Sequence, residues 1–141
     1  MTLAAAQVVD AIAARLVPTV TAGHVTADRF HPITTADCPW WKVFPLGDDI
    51  EASTDGATEK HDLTVECRGY VRAVSGGDDA MHALLASGLA AVHGAQAAQW
   101  SLQTISVQWQ TLSENGADFG AVLLRLRATY YTDRTAPEAF L

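Results

Sequence analysis

Five histidines, two cysteines and one acidic run are the groups in this 141-residue chain with types suited to chemistry. His82 and His93 lie eleven residues apart, so on one helix they point the same way, but they stand about 16 Å apart at ~1.5 Å per residue. Bonds from zinc to its ligands are only ~2 Å long, so the two cannot share an ion. His31, Cys38, His61 and Cys67 follow no metal-ligand spacing, and there is no Cys-x-x-Cys pair. His61-Asp62 has the residue types of a hydrolase relay, yet adjacent strand residues point to opposite faces and cannot form a triad's aligned hydrogen bond. The acidic run lacks the Asp-x-Asp-x-Asp-Gly spacing of a calcium loop. Gly76-Gly77-Asp78-Asp79 reads as a turn followed by a helix start. Gly-x-Ser-x-Gly elbows, phosphate loops and dinucleotide fingerprints are all missing from the sequence. The expectation is a protein that is not an enzyme, with no catalytic residues and no metal or other cofactor.

The elements that would have to position any site are legible along the chain. Leu3, Val8, Ile12 and Leu16 recur at near-helical spacing behind a Thr2 cap, and Pro18 ends that helix. Residues 20–27 read as a short first strand. Trp40-Trp41-Lys42-Val43-Phe44, with proline on both sides, reads as a strand near a sheet edge. Residues 47–60, with Asp48, Asp49, Glu51, Asp55 and Glu59 against Lys60, read as a long polar loop. In residues 61–71 alternation is nearly strict: Leu63, Val65, Cys67 and Val71 share one face, Asp62, Thr64, Glu66 and Arg68 the other. A helix over residues 79–92 follows, with Gly94 placed to end it. Two long strands then flank Asn115-Gly116, a strong hairpin signal, and the tail from about residue 133 reads as loose.

This order predicts one α+β domain over residues 1–141: a mostly antiparallel sheet of four to five strands with two helices on one face. Its length suffices for a core without disulfides. Net charge is −7, which argues against specific nucleic-acid binding and against docking on anionic lipid. No stretch approaches the ~20 apolar residues of a membrane span. The apolar stretch over residues 3–17 is broken by Asp10 and Arg15 with no basic segment before it, so the expected place of synthesis is the cytoplasm. Charged residues are only 18% of the chain, below the average for soluble domains, which fits a surface buried against neighbours.

Candidate contact residues follow from the same pattern. Trp40 and Trp41 are consecutive, so one is expected to face away from the core and anchor a partner. The free sheet face is expected to carry Arg68, Arg125 and Arg127. Asp48, Asp49 and Glu51 lie on the polar loop, which is expected to order against a neighbouring subunit.

The amphipathic N-terminal helix, Pro39-Trp40-Trp41-Lys42-Val43, the alternating strand over residues 61–71, the helix over 79–92 and the closing Tyr130-Tyr131-Thr132-Asp133 together resemble a known family. The chain, from about Val8 to Asp133, is similar to the tail-terminator (minor tail protein U-like) and tail-completion proteins of long-tailed bacteriophages. The resemblance implies a virion tail protein assembled in the host cytoplasm. It would form a ring with copies of itself, typically hexameric, and meet the tail-tube protein and a head-completion protein. The ring would end tube polymerisation and prepare head–tail joining. Two other readings stay open: a head–tail connector or other tail-assembly factor, and a small-ligand-binding or enzymatic α+β domain with a site between helix and sheet.

Overall fold

The computed structural model describes residues 2–114 and 116–141. The first helix, α1 (Leu3–Leu16), starts where Thr2 Oγ1 accepts the amide of Ala5 at 3.2 Å. Ala4, Ala5, Val8, Val9, Ile12 and Leu16 form its buried stripe. A 3-10 turn (Val17–Thr19) with Pro18 ends it, as the proline predicts.

The sheet is built from β1 (Val25–Thr26), β2 (Trp40–Ala52), β3 (Thr58–Arg72), β4 (Trp100–Glu114), β5 (Ala117–Asp133) and β6 (Ala136–Phe140), and α2 (Gly77–His93) crosses between β3 and β4. The order across it is β1-β2-β3-β5-β4, with β6 on the end of β5. Every pairing is antiparallel except the parallel β1–β2 contact. The fold is therefore α+β and mostly antiparallel, with six strands where four to five were expected. The additional strand is β6, in the tail expected to be loose.

Register explains why one face is apolar. His61, Leu63, Val65 and Cys67 of β3 stand opposite Tyr130, Ala128, Leu126 and Leu124 of β5, and their side chains share one face. Both helices cover that face. Trp41 is the keystone of the packing: it is fully buried, and its indole donates to Thr19 Oγ1 at 3.0 Å. Two glycines make room for it. A Cβ on Gly88 of α2 would sit 2.7 Å from Trp41 Cζ2, and one on Gly69 of β3 would sit 3.0 Å from Trp41 Cζ3.

Three sequence expectations change. Residues 47–60 are not a loop: β2 continues to Ala52 and β3 starts at Thr58, so only a short turn joins them. The expected strand over residues 20–27 is reduced to Val25–Thr26. The tail from Asp133, expected to be loose, turns back as β6, and the Leu3 amide donates to Glu138. Asn115 of the expected hairpin lies outside the described residues; Gly116 beside it takes φ +77°, the left-handed region that glycine tolerates.

The β2–β3 turn carries a testable signature. The Asp55 carboxylate accepts the Ser53 hydroxyl at 2.5 Å and the amides of Ala57 and Thr58 at 2.8 and 3.1 Å. These bonds, Ser53's first, hold its pKa down to about 2. The folded value lies below the unfolded value of ~3.9, so the turn's contribution is complete above that pH and is lost as pH falls through about 2. Carbon-13 titration of the Asp55 carboxyl should give a midpoint near 2, rising in Ser53→Ala. A midpoint at ~3.9 would mean the turn is not closed in solution.

Candidate functional site

Polar side chains concentrate in two places, one on each face of the sheet. The first lies on the helix side. His61 is buried, with Nδ1 2.9 Å from Asp48 Oδ2 and Nε2 2.8 Å from Thr132 Oγ1. The Tyr130 hydroxyl donates to the same Asp48 oxygen at 3.2 Å, and its ring stacks on the imidazole with centroids 4.6 Å apart. Burial, and then the Asp48 charge, push the Tyr130 phenol up to about 12.

Carboxylate, imidazole and hydroxyl thus stand in relay order. Asp62, the sequence neighbour that failed as a partner, bonds Thr129 instead, at 2.7 Å on the opposite face. Asp48 takes its place from thirteen residues away, which adjacency could not show. Relay order alone is not a nucleophile. Thr132 has no exposed surface, so a substrate carbonyl has no approach to its hydroxyl. The cluster acts as a hydrogen-bonded polar core under the start of α1.

The second concentration covers the open face. Glu66 is buried there between two cations: Arg68 donates to Oε2 through Nε at 3.0 Å and Nη2 at 2.7 Å, and Arg125 Nε donates to Oε1 at 3.3 Å. Beside it Lys42, also buried, meets Glu114 at 3.3 Å, and the Tyr70 hydroxyl donates to Glu114 at 2.8 Å. Burial, with the Glu114 bond adding to it, pushes the Tyr70 phenol well above its ordinary value. Cations also sit over rings: Arg29 and Arg68 lie 4.5 and 5.3 Å from the Phe44 centroid. The network spans β2, β3, β4 and β5 and lies open to solvent at Arg68 and Arg125.

The expected contact residues distribute unevenly. Arg68 and Arg125 belong to this network, and Arg127 is exposed next to it with no ion pair among the described residues. Asp49 and Glu51 are exposed on the same face, opposite Asp62 and Lys60. Asp48 faces the other way, into the His61 cluster. The tryptophans do alternate, but neither is outward. Trp41 is in the main core. Trp40 is capped by the segment before β2, where His24 and His31 stack on it at 4.6 and 5.2 Å, and it joins Ile33, Tyr70 and Phe119 in a second apolar cluster. Lys42, Tyr70 and Glu114 were not among the sequence candidates; Glu114 sits beside the hairpin signal, the one cue that could have placed it across from β2 and β3.

A cavity of about 640 Å³ opens between α2 and the stretch around Cys38 and Pro39, with Val71, Val74, Ala80, Ala83 and Leu84 on its apolar walls. Arg72, at its rim, already donates to the Thr35 carbonyl at 2.9 Å. Burial raises the Cys38 thiol to about 11, so it is protonated at neutral pH. Cys67 is a second free thiol, buried in the main core. Among the described residues no group of three or more His, Cys, Asp and Glu side chains is placed to hold a metal ion, and no helix is long and apolar enough to cross a membrane. No protein-family model matches the chain, and no curated protein matches its sequence.

Proposed function

We propose that this chain is a structural subunit of a phage tail, of the tail-terminator type, that assembles with copies of itself into a ring. The ring caps the tail tube, ends its polymerisation and presents a surface for head–tail joining. One observation carries this reading: the most elaborate polar network in the molecule lies flat on an open sheet face. Glu66 and Lys42 are buried and ion-paired there, at the cost of desolvation. A preorganised charged face of this kind suits docking against another protein.

The cavity beside α2 supports the small-ligand alternative, since it is sizeable, about 640 Å³, and lies next to a helix. Its walls are mostly apolar, and Arg72, Thr19 and Ser87 on its lining already bond within the chain, so few free polar groups remain to orient a substrate. A head–tail connector would share the open face and differ only in its partner.

Purified chain should sediment as a closed oligomer at high concentration, and electron micrographs should show rings. Added to growing tail-tube subunits, it should stop elongation and remain at one tube end. Binding to portal-side protein with no effect on tube growth would replace the terminator by the connector reading. A strict monomer that binds neither would overturn both.

A further inference from the structure

The sheet has two open edges of opposite character. β4 borders β5 on one side only, and from Trp100 to Ser113 it contains no Asp, Glu, Lys, Arg or Pro. Ile105 and Trp109 are 42% and 47% exposed along it. Edge strands ordinarily carry charge, proline or short length, which keep other chains from pairing with their free amides and carbonyls. β6 follows that rule with five residues that include Pro137 and Glu138. β2 follows it too: β1 covers it only at Trp41 and Lys42, and beyond the bulge after Pro45 its edge exposes Asp49, Ile50 and Glu51. Up to Ser113, β4 is the long edge without charge or proline, interrupted only by the bulge at Ile105.

We infer that the β4 edge of one copy pairs with the β2 edge, residues 47–52, of the next copy, so that the sheet runs on from subunit to subunit. The inference rests on the self-assembling reading above and names the contact that closes it. Strand direction allows it. β2, β3, β5 and β4 alternate in direction across the sheet, so the two edge strands run oppositely. Rotation about an axis roughly along the strands therefore sets β4 antiparallel to the next β2 and keeps all helices on one side, as a head-to-tail ring requires.

Side-chain chemistry selects this pairing over the two-fold ones. On the open face, Asp49 and Glu51 of the incoming strand meet uncharged Ser101, Gln103, Ser106 and Gln108, with Arg125 and Arg127 one strand further, about 10 Å away at ~4.8 Å per strand. On the helix side the exposed Ile50 meets Val107 and Trp109. Two β2 edges would set carboxylates against carboxylates, and two β4 edges would leave the acidic edge without cations.

The test uses the full chain in two double variants. Ile105→Lys with Trp109→Lys blocks β4, and Leu46→Lys with Ile50→Lys blocks β2; all four side chains are exposed. Native mass is measured for each alone and for an equimolar mixture. The expected result is a closed oligomer for the unmodified chain, a monomer for each variant, and a one-to-one dimer in the mixture, because each variant keeps the edge the other lacks. Where a double variant melts early, Gln108→Lys and Asp49→Lys provide the same readout. Two variants that assemble like the unmodified chain overturn the edge pairing and leave self-assembly intact. Loss on the β4 side alone, with no dimer in the mixture, overturns it in favour of a two-fold contact. An unmodified chain that stays monomeric at every concentration removes the self-assembling reading as well.

Discussion

Trp41→Ala should destabilise the fold by about 3–5 kcal/mol, the usual cost of emptying a large aromatic site in a core. For a chain of this length that is a fall in Tm of roughly 10–20 °C. The indole fills the space between α2 and β3 that two glycines leave open, and its Nε1 bonds Thr19, so it ties α1's exit turn, β2, β3 and α2 together. A second substitution separates this packing from general fragility. Gly88→Ala on its own gains about 1 kcal/mol of helix propensity but drives a Cβ to 2.7 Å from Trp41 Cζ2, so the net effect is destabilising. In the Trp41→Ala background the obstruction is gone, and the same Gly88→Ala change should become stabilising. Thermal or urea denaturation of the four proteins gives the sign directly. Gly88→Ala with the same effect in both backgrounds would mean that the close approach does not constrain the core.

The parts of this fold that were legible in the sequence are those where local chemistry and burial agree. α1 runs over the residues its stripe marks, because Thr2 and Pro18 define its ends and the buried positions recur at helical spacing. α2 begins at Gly77, two residues before the expected start, and continues to His93. The central strands β3 and β5 showed their alternation over residues 61–68 and 124–130, where one face meets the helices and the other carries polar side chains. That criterion fails at the far end of the β2–β3 hairpin. There the sheet extends past the aliphatic core, Asp48 turns inward to a histidine, and Ile50 is 55% exposed, so strand residues carry a loop's composition. Backbone pairing with β3 maintains the strand, and pairing leaves no mark in composition. Trp40 was legible as a face assignment and not as a surface: its cover comes from His24, His31 and Ile33, which pack over it from the residues on either side of the short β1.

The same limit applied to the polar groups. Arg68 and Arg125 were readable as neighbours on the open face because strand parity places them there. Parity places their shared carboxylate, Glu66, on that face too, but its burial depends on the way the arginines close over it. Asp48, His61 and Thr132 come from three strands and meet only through register. Convergence of titratable groups was the feature the sequence could least reveal, and it is present in the fold as a buried structural cluster.

Glu66→Ala should cost roughly 3 kcal/mol, at the lower end of the range for breaking a buried ion pair, because its two arginines can turn partly toward water. Glu66 is 1% exposed and satisfies Arg68 at 2.7 Å and Arg125 at 3.3 Å. Without it, Arg125 loses its ion-pair partner and Lys42 and Arg68 share Glu114 alone, so their mutual repulsion adds to the lost hydrogen bonds. Glu66→Gln keeps the shape and one acceptor oxygen, so it should fall between the two. Arg127→Ala sets the scale for a surface charge on the same face: the side chain is exposed and makes no ion pair among the described residues, so a change within ±0.5 kcal/mol is expected. Differential scanning calorimetry on the three variants should place Glu66→Ala about 10 °C below the unmodified chain, Glu66→Gln between, and Arg127→Ala alongside it. The ordering matters for the proposed role, because a face that docks through fixed charges needs a carboxylate that fixes them. If Glu66→Ala melted with Arg127→Ala, the arginines would be independent surface groups, and the open face would lose the preorganisation on which its use as a contact surface depends.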